Sequence, residues 1–136
     1  MDRIISQLIK RFKTNDPFTI ARGLNILIRY ADFEDGTRGL YYRVLRRRFI
    51  VLHSGLDEHW QRFVCAHELG HDRLHPGYSR FWLDENSLSN PGKYERQANR
   101  FAIQLLTAGD TAGSGEAVCE LLRRNGVPEE MRSYYY

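Results

Sequence analysis

His67-Glu68-Leu69-Gly70-His71 is the segment whose residue types and spacing most clearly could do chemistry. On a helix, positions i and i+4 share a face, so two imidazoles one turn apart can reach one cation while the intervening Glu68 points beside it toward a water. The expected frequency of His, Glu and His at these three positions is roughly 0.01 for a chain of this composition. The competing reading is a buried, hydrogen-bonded histidine pair, because His67 and His71 share an apolar stripe with Phe63, Val64 and Leu74. Glu68 argues for the metal.

Catalytic zinc sites use three protein ligands and keep a fourth position open. His75 lies a further ~6 Å along a straight helix, and three successive turns cannot converge on one ion. Cys65 points about 200° around the helix from His67. Leu74 and Gly77 stand where a metzincin pattern needs Gly and His. Glu95 is the better third candidate. It sits at the edge of an apolar arc beside Ala98 and Ala102, away from Lys93, Arg96, Gln97, Arg100 and Gln104, and a carboxylate buried there needs a partner. A half-exposed glutamate paired to an arginine is the alternative. Asn99, one turn on, could hydrogen-bond a ligand histidine or could be a helix-packing amide.

The chemistry this set could perform is metal-assisted amide hydrolysis, with Zn²⁺ as the metal, Glu68 as the general base and then as the acid for the leaving amine. Tyr78, His75 and Tyr94 are the candidate oxyanion donors, unranked by sequence. An extended peptide could add as a strand to an edge of a small sheet.

Those residues need a scaffold. Ile4, Ile5, Leu8, Ile9 and Phe12 predict a first amphipathic helix ending near Lys13, and Asp16-Pro17 predicts a capped second helix to about Gly23. Residues Ile26 to Tyr30, Gly39 to Leu45 and Phe49 to His53 predict about three strands of a small antiparallel sheet, with a hairpin-type turn at Asp35-Gly36. Asp57 is the expected N-cap of the long helix that carries the histidines to about His75, before Pro76-Gly77. Tyr78 to Asn90 reads as a loop, and Asn90-Pro91 as the start of the helix bearing Glu95. A linker from Thr107 to Gly115 precedes a last helix, about Glu116 to Arg124. The class is α+β, with the sheet packed on the HExxH helix.

The HELGH motif followed by Glu95-Arg96-Gln97-Ala98-Asn99-Arg100-Phe101-Ala102-Ile103-Gln104-Leu105-Leu106 resembles the ImmA/IrrE family of bacterial and phage zinc metallopeptidases. Asp16-Pro17-Phe18-Thr19-Ile20-Ala21 is similar to that family's helix before its first strand. The resemblance covers about residues 14–106, and 107–136 are a linker plus a C-terminal helix. It implies a minimal zincin-like, gluzincin-type domain over 1–136, with one Zn²⁺ on His67, His71 and Glu95 and with Glu68 catalytic. It implies a protein partner as well, a helix-turn-helix repressor whose cleavage or other inactivation relieves repression of mobile-element or stress-response genes. The chain departs from the radiation-response members after Leu106, where the remaining 30 residues leave no room for their sensor domain.

Composition sets the outer bounds. The chain has 136 residues, 42% of them hydrophobic, and a mean hydropathy of -0.54, which suits one globular domain. Two cysteines are too few for a disulfide scaffold, and Met1 to Phe12 does not form a signal-peptide core, so a reducing, cytoplasmic location is expected. No apolar run approaches the ~20 residues that span a bilayer. The formal charge is +3, yet Arg38 to Arg48 alone holds five arginines and no acid. That stretch is either a solvated hairpin face or a surface for a substrate, an acidic partner or nucleic acid. Three functions are compatible with these residues. They are a zinc endopeptidase acting on a repressor, a non-proteolytic anti-repressor that displaces it from DNA, and a DNA-binding basic protein using Arg46, Arg47 and Arg48.

Overall fold

The computed structural model describes residues 1–77 and 92–136. Tyr78, the loop expected from Tyr78 to Asn90, and Asn90-Pro91 lie outside the described residues.

Local signals place the first helices. Helix α1, Asp2–Phe12, buries Ile5 and Leu8 and stops where Lys13 turns left-handed at φ 61°. The Asp16 side chain accepts from the Thr19 amide at 3.1 Å and opens α2, Pro17–Gly23, with Pro17 in its first turn. Three strands follow, β1 (Ile26–Ala31), β2 (Gly39–Val44) and β3 (Arg47–His53).

The sheet corrects the antiparallel expectation. Its order is β1-β3-β2, and β1 runs parallel to β3, with Ile28 opposite Ile50, while β2 runs antiparallel to it, with Tyr41 opposite Ile50. Asp35-Gly36 lies in the connection that carries the chain past the sheet, so it closes no β1–β2 hairpin. The tight turn is Leu45-Arg46, between β2 and β3. Leu45 takes a φ of 56° there and is 93% exposed. A bulky residue in this conformation carries none of the Asn-Gly or Asp-Gly chemistry by which such turns are recognised.

Asp57 accepts from the Trp60 amide at 2.9 Å and caps α3, Glu58–Leu74, with His75 as its last cap residue. The inner face of the sheet, including Ile26, Ile50 and Leu52, shares one core with Phe63, Val64 and Leu69 of α3 and Phe101, Ile103 and Leu105 of α4. Helix α4 spans Lys93–Leu106 with Gly92 as N-cap. Where α3 and α4 meet, a Cβ on Gly70 would fall 3.0 Å from the Phe101 ring. The glycine lets the two helices approach, which brings Glu95 to the histidines. A short α5, Val118–Arg124, and a 3₁₀ segment, Glu129–Tyr135, complete the described chain. Cys65 and Cys119 are both free thiols, and no helix among the described residues is long and apolar enough to cross a membrane.

Candidate metal centre and cleft

Helix α3 presents His67 and His71 one turn apart, with ring centroids 4.8 Å from each other. Helix α4 supplies Glu95 against both. Its Oε2 lies 3.1 Å from His67 Nε2, and its Oε1 lies 2.9 Å from His71 Nε2. One ligand atom from each of the three residues falls within 4.8 Å of the others. Glu95 therefore meets both histidines.

The far nitrogens of both imidazoles are also engaged. His67 Nδ1 is 2.7 Å from Asn99 Oδ1, so the amide oxygen faces the His67 ring. His71 Nδ1 is 3.1 Å from His75 Nδ1, and His75 Nε2 is 2.7 Å from Gln97 Oε1. His75 thus stands behind His71, as the helical rise requires of a residue one turn too far to share an ion. Its ring also packs on Tyr94, with centroids 4.3 Å apart. Burial lowers the pKa of His71, opposed by its hydrogen bond with Glu95, and burial likewise lowers that of His75. Near neutral pH both imidazoles are uncharged, the form that binds metals.

Glu68 is fully buried and faces the edge strand. A Cβ on Gly39, at the start of β2, would overlap Val64 and would sit 3.2 Å from Glu68 Oε2. Glycine at 39 keeps that approach open. A cleft of about 440 Å³ runs along this wall and is lined by Gly39, Trp60, Val64, His67, Glu68 and Glu95, among others. That volume lies within the usual range for ligand pockets. Arg38 stacks on Trp60, its guanidinium carbon 4.0 Å from the ring centroid, and pairs with Glu130 of the 3₁₀ segment at 3.3 Å. Met131 joins the same lining.

The arginine run does not form one surface. Arg38 belongs to the cleft, and Arg48 turns inward. Arg48 Nη1 lies 3.0 Å from Asp72, whose side chain is only 2% exposed, and Arg48 also donates to the Leu24 carbonyl. Asp72 accepts the Tyr41 hydroxyl at 2.5 Å and the Arg73 guanidinium as well. Burial, then the hydrogen bond to Asp72, pushes the Tyr41 phenol above its ordinary range. Sequence reading singled out neither Asp72 nor Gln97. Asp72, beside His71 in a helix ending, and Gln97, on a polar arc, resemble ordinary solvated residues until their partners are known.

The sequence profile of the IrrE N-terminal-like domain, a zinc metallopeptidase family, matches residues 21–112, a stretch that holds α3, α4 and all three strands. The chain belongs to this family. An IrrE N-terminal-like domain is what the HELGH and Glu95 motifs resembled. The "Uncharacterized immunity region protein 2" of Bacillus phage phi105 is 33% identical over 131 residues, covering 93% of this chain and 83% of that protein. No solved structure matches the chain.

The donor set of this IrrE N-terminal-like domain fits Zn²⁺. Two imidazoles and a carboxylate suit that ion, and the two imidazoles have their outer nitrogens already hydrogen-bonded.

Proposed function

We propose that this protein is a cytoplasmic zinc endopeptidase that hydrolyses a peptide bond in a helix-turn-helix repressor and so relieves repression of mobile-element genes. The observation that carries this reading is the meeting of His67, His71 and Glu95 at a cleft wall that also holds Glu68. Its family supports the peptidase chemistry, and its likeness to a phage immunity-region protein supports the repressor as partner.

In this reading His67, His71 and Glu95 hold the ion, which when bound polarises the scissile carbonyl and makes water acidic enough to attack near neutral pH. Glu68 takes the proton of the attacking water as the new C–O bond forms, and returns it to the amide nitrogen as the C–N bond breaks. Gly39 puts no side chain between Glu68 and the β2 backbone. Since β2 is an edge of the sheet, an extended substrate can pair with it and pass directly beside Glu68. Arg38 and Trp60 flank the same path.

Metal analysis of the purified protein tests the site. One zinc per chain is expected, retained in Glu68→Gln and lost in His67→Ala, His71→Ala and Glu95→Ala. Zinc retained by all three ligand variants would remove the basis of the reading.

A further inference from the structure

The two facing Nδ1 atoms of His71 and His75, 3.1 Å apart, pose a proton question. One must donate and the other accept. If His75 donated, the proton of neutral His71 would sit on Nε2, the atom that faces Glu95, and His71 could not offer a lone pair there. If His71 donates, its Nε2 lone pair points to the centre, and His75 then carries its own proton on Nε2, 2.7 Å from Gln97 Oε1. Only the second arrangement suits a metal ligand.

We propose that His75 and Gln97 are positioning residues that set the metal-binding tautomer and orientation of His71 through the chain His71 Nδ1–H to His75 Nδ1, then His75 Nε2–H to Gln97 Oε1. This rests on the metallopeptidase reading above. The same helix, α4, then serves the centre three times. Glu95 is the ligand, Asn99 orients His67 directly, and Gln97 orients His71 through His75. His75 closes α3 as its C-cap, with its own amide donating to the His71 carbonyl at 3.0 Å. The ring is therefore anchored to the turn it supports. Partners outside the coordination sphere of this kind fix ring orientation and raise ligand basicity, and removing them costs about ten- to a hundred-fold in metal affinity.

The test is competition for Zn²⁺ against a chromophoric chelator, together with the visible absorption spectrum of the Co²⁺-loaded protein. His75→Phe keeps a ring against Tyr94 but removes the acceptor. His75→Asn places an amide oxygen near the position of Nδ1. Gln97→Leu, on the half-buried surface of α4, interrupts the outer link, and Gln97→Glu fixes it as an acceptor. The expected result is a tenfold or greater loss of Zn²⁺ affinity with an altered Co²⁺ spectrum in His75→Phe and Gln97→Leu. His75→Asn should recover most of that loss, and Gln97→Glu should bind more tightly than wild type. Wild-type affinity in both His75→Phe and Gln97→Leu overturns the relay, as does weaker binding in Gln97→Glu, which would mean that His75 accepts from Gln97. Those results leave the zinc reading standing. A wild-type protein that takes up neither metal overturns the zinc reading and the relay together.

Discussion

Asn99 Oδ1 lies 2.7 Å from His67 Nδ1, so the amide accepts the proton that leaves the other imidazole nitrogen, Nε2, turned to Glu95. An asparagine is suited to this because its oxygen accepts without adding a second negative charge beside Glu95. Asn99→Ala should weaken Zn²⁺ binding by about ten- to a hundred-fold with little change in fold, and Asn99→Asp should bind at least as tightly as wild type. Chelator competition measures both. Equal affinity in wild type and Asn99→Ala would make the contact a packing accident.

The arginine run divides by environment, and stability should divide with it. Arg48 serves a buried carboxylate, so Arg48→Met should cost about 2–4 kcal/mol in denaturant unfolding, because Asp72 loses a charged partner inside the protein. Arg46 and Arg47 are exposed on the hairpin, and their alanine variants should fall within about 0.5 kcal/mol of wild type. Equal costs at 46, 47 and 48 would contradict the assignment. The same pair of surface variants tests DNA binding. That reading requires strongly salt-dependent affinity for DNA that Arg46→Ala and Arg47→Ala abolish.

Acid should destabilise the metal-free protein. Burial holds His71 and His75 below the ordinary imidazole range, so between their folded values and about 6.5 the unfolded chain binds more protons than the folded one. Stability is then complete above about pH 6.5 and is lost as the pH falls through the window below it. The thermal midpoint of metal-free protein should drop from pH 7.5 to 5.5, and by less in His75→Asn, which has one buried imidazole fewer. A midpoint that is flat across this range would contradict the burial argument.

What could be read from sequence follows how local each signal is. The caps at Asp16 and Asp57, the proline at 17 and the i, i+4 histidines are written within a few residues, and the structure keeps each of them. The arc of a single helix singles out Glu95 but names no partner for it. Strand pairing is equally non-local, because alternation says which face a residue takes but names no neighbour. That is why β3 could insert between β1 and β2 unannounced. The partners of His75, Gln97 and Asp72 were hidden for the same reason. His75 meets Gln97 from the neighbouring helix and Asp72 meets Tyr41 from β2, so each polar residue looked solvated until the fold brought its partner to it.

In the proposed function Glu68 moves the proton in a peptide-bond hydrolysis. Its most direct test is incubation of the zinc-loaded protein with a helix-turn-helix repressor of the proposed substrate class, comparing wild type, Glu68→Gln and chelated protein by mass spectrometry of the products. Cleavage at a defined bond by wild type is expected, with a loss of about a hundred-fold or more in Glu68→Gln despite an unchanged zinc content, and no cleavage after chelation. Cleavage by Glu68→Gln at the wild-type rate would contradict it, as would an intact repressor released from its operator equally well by both proteins.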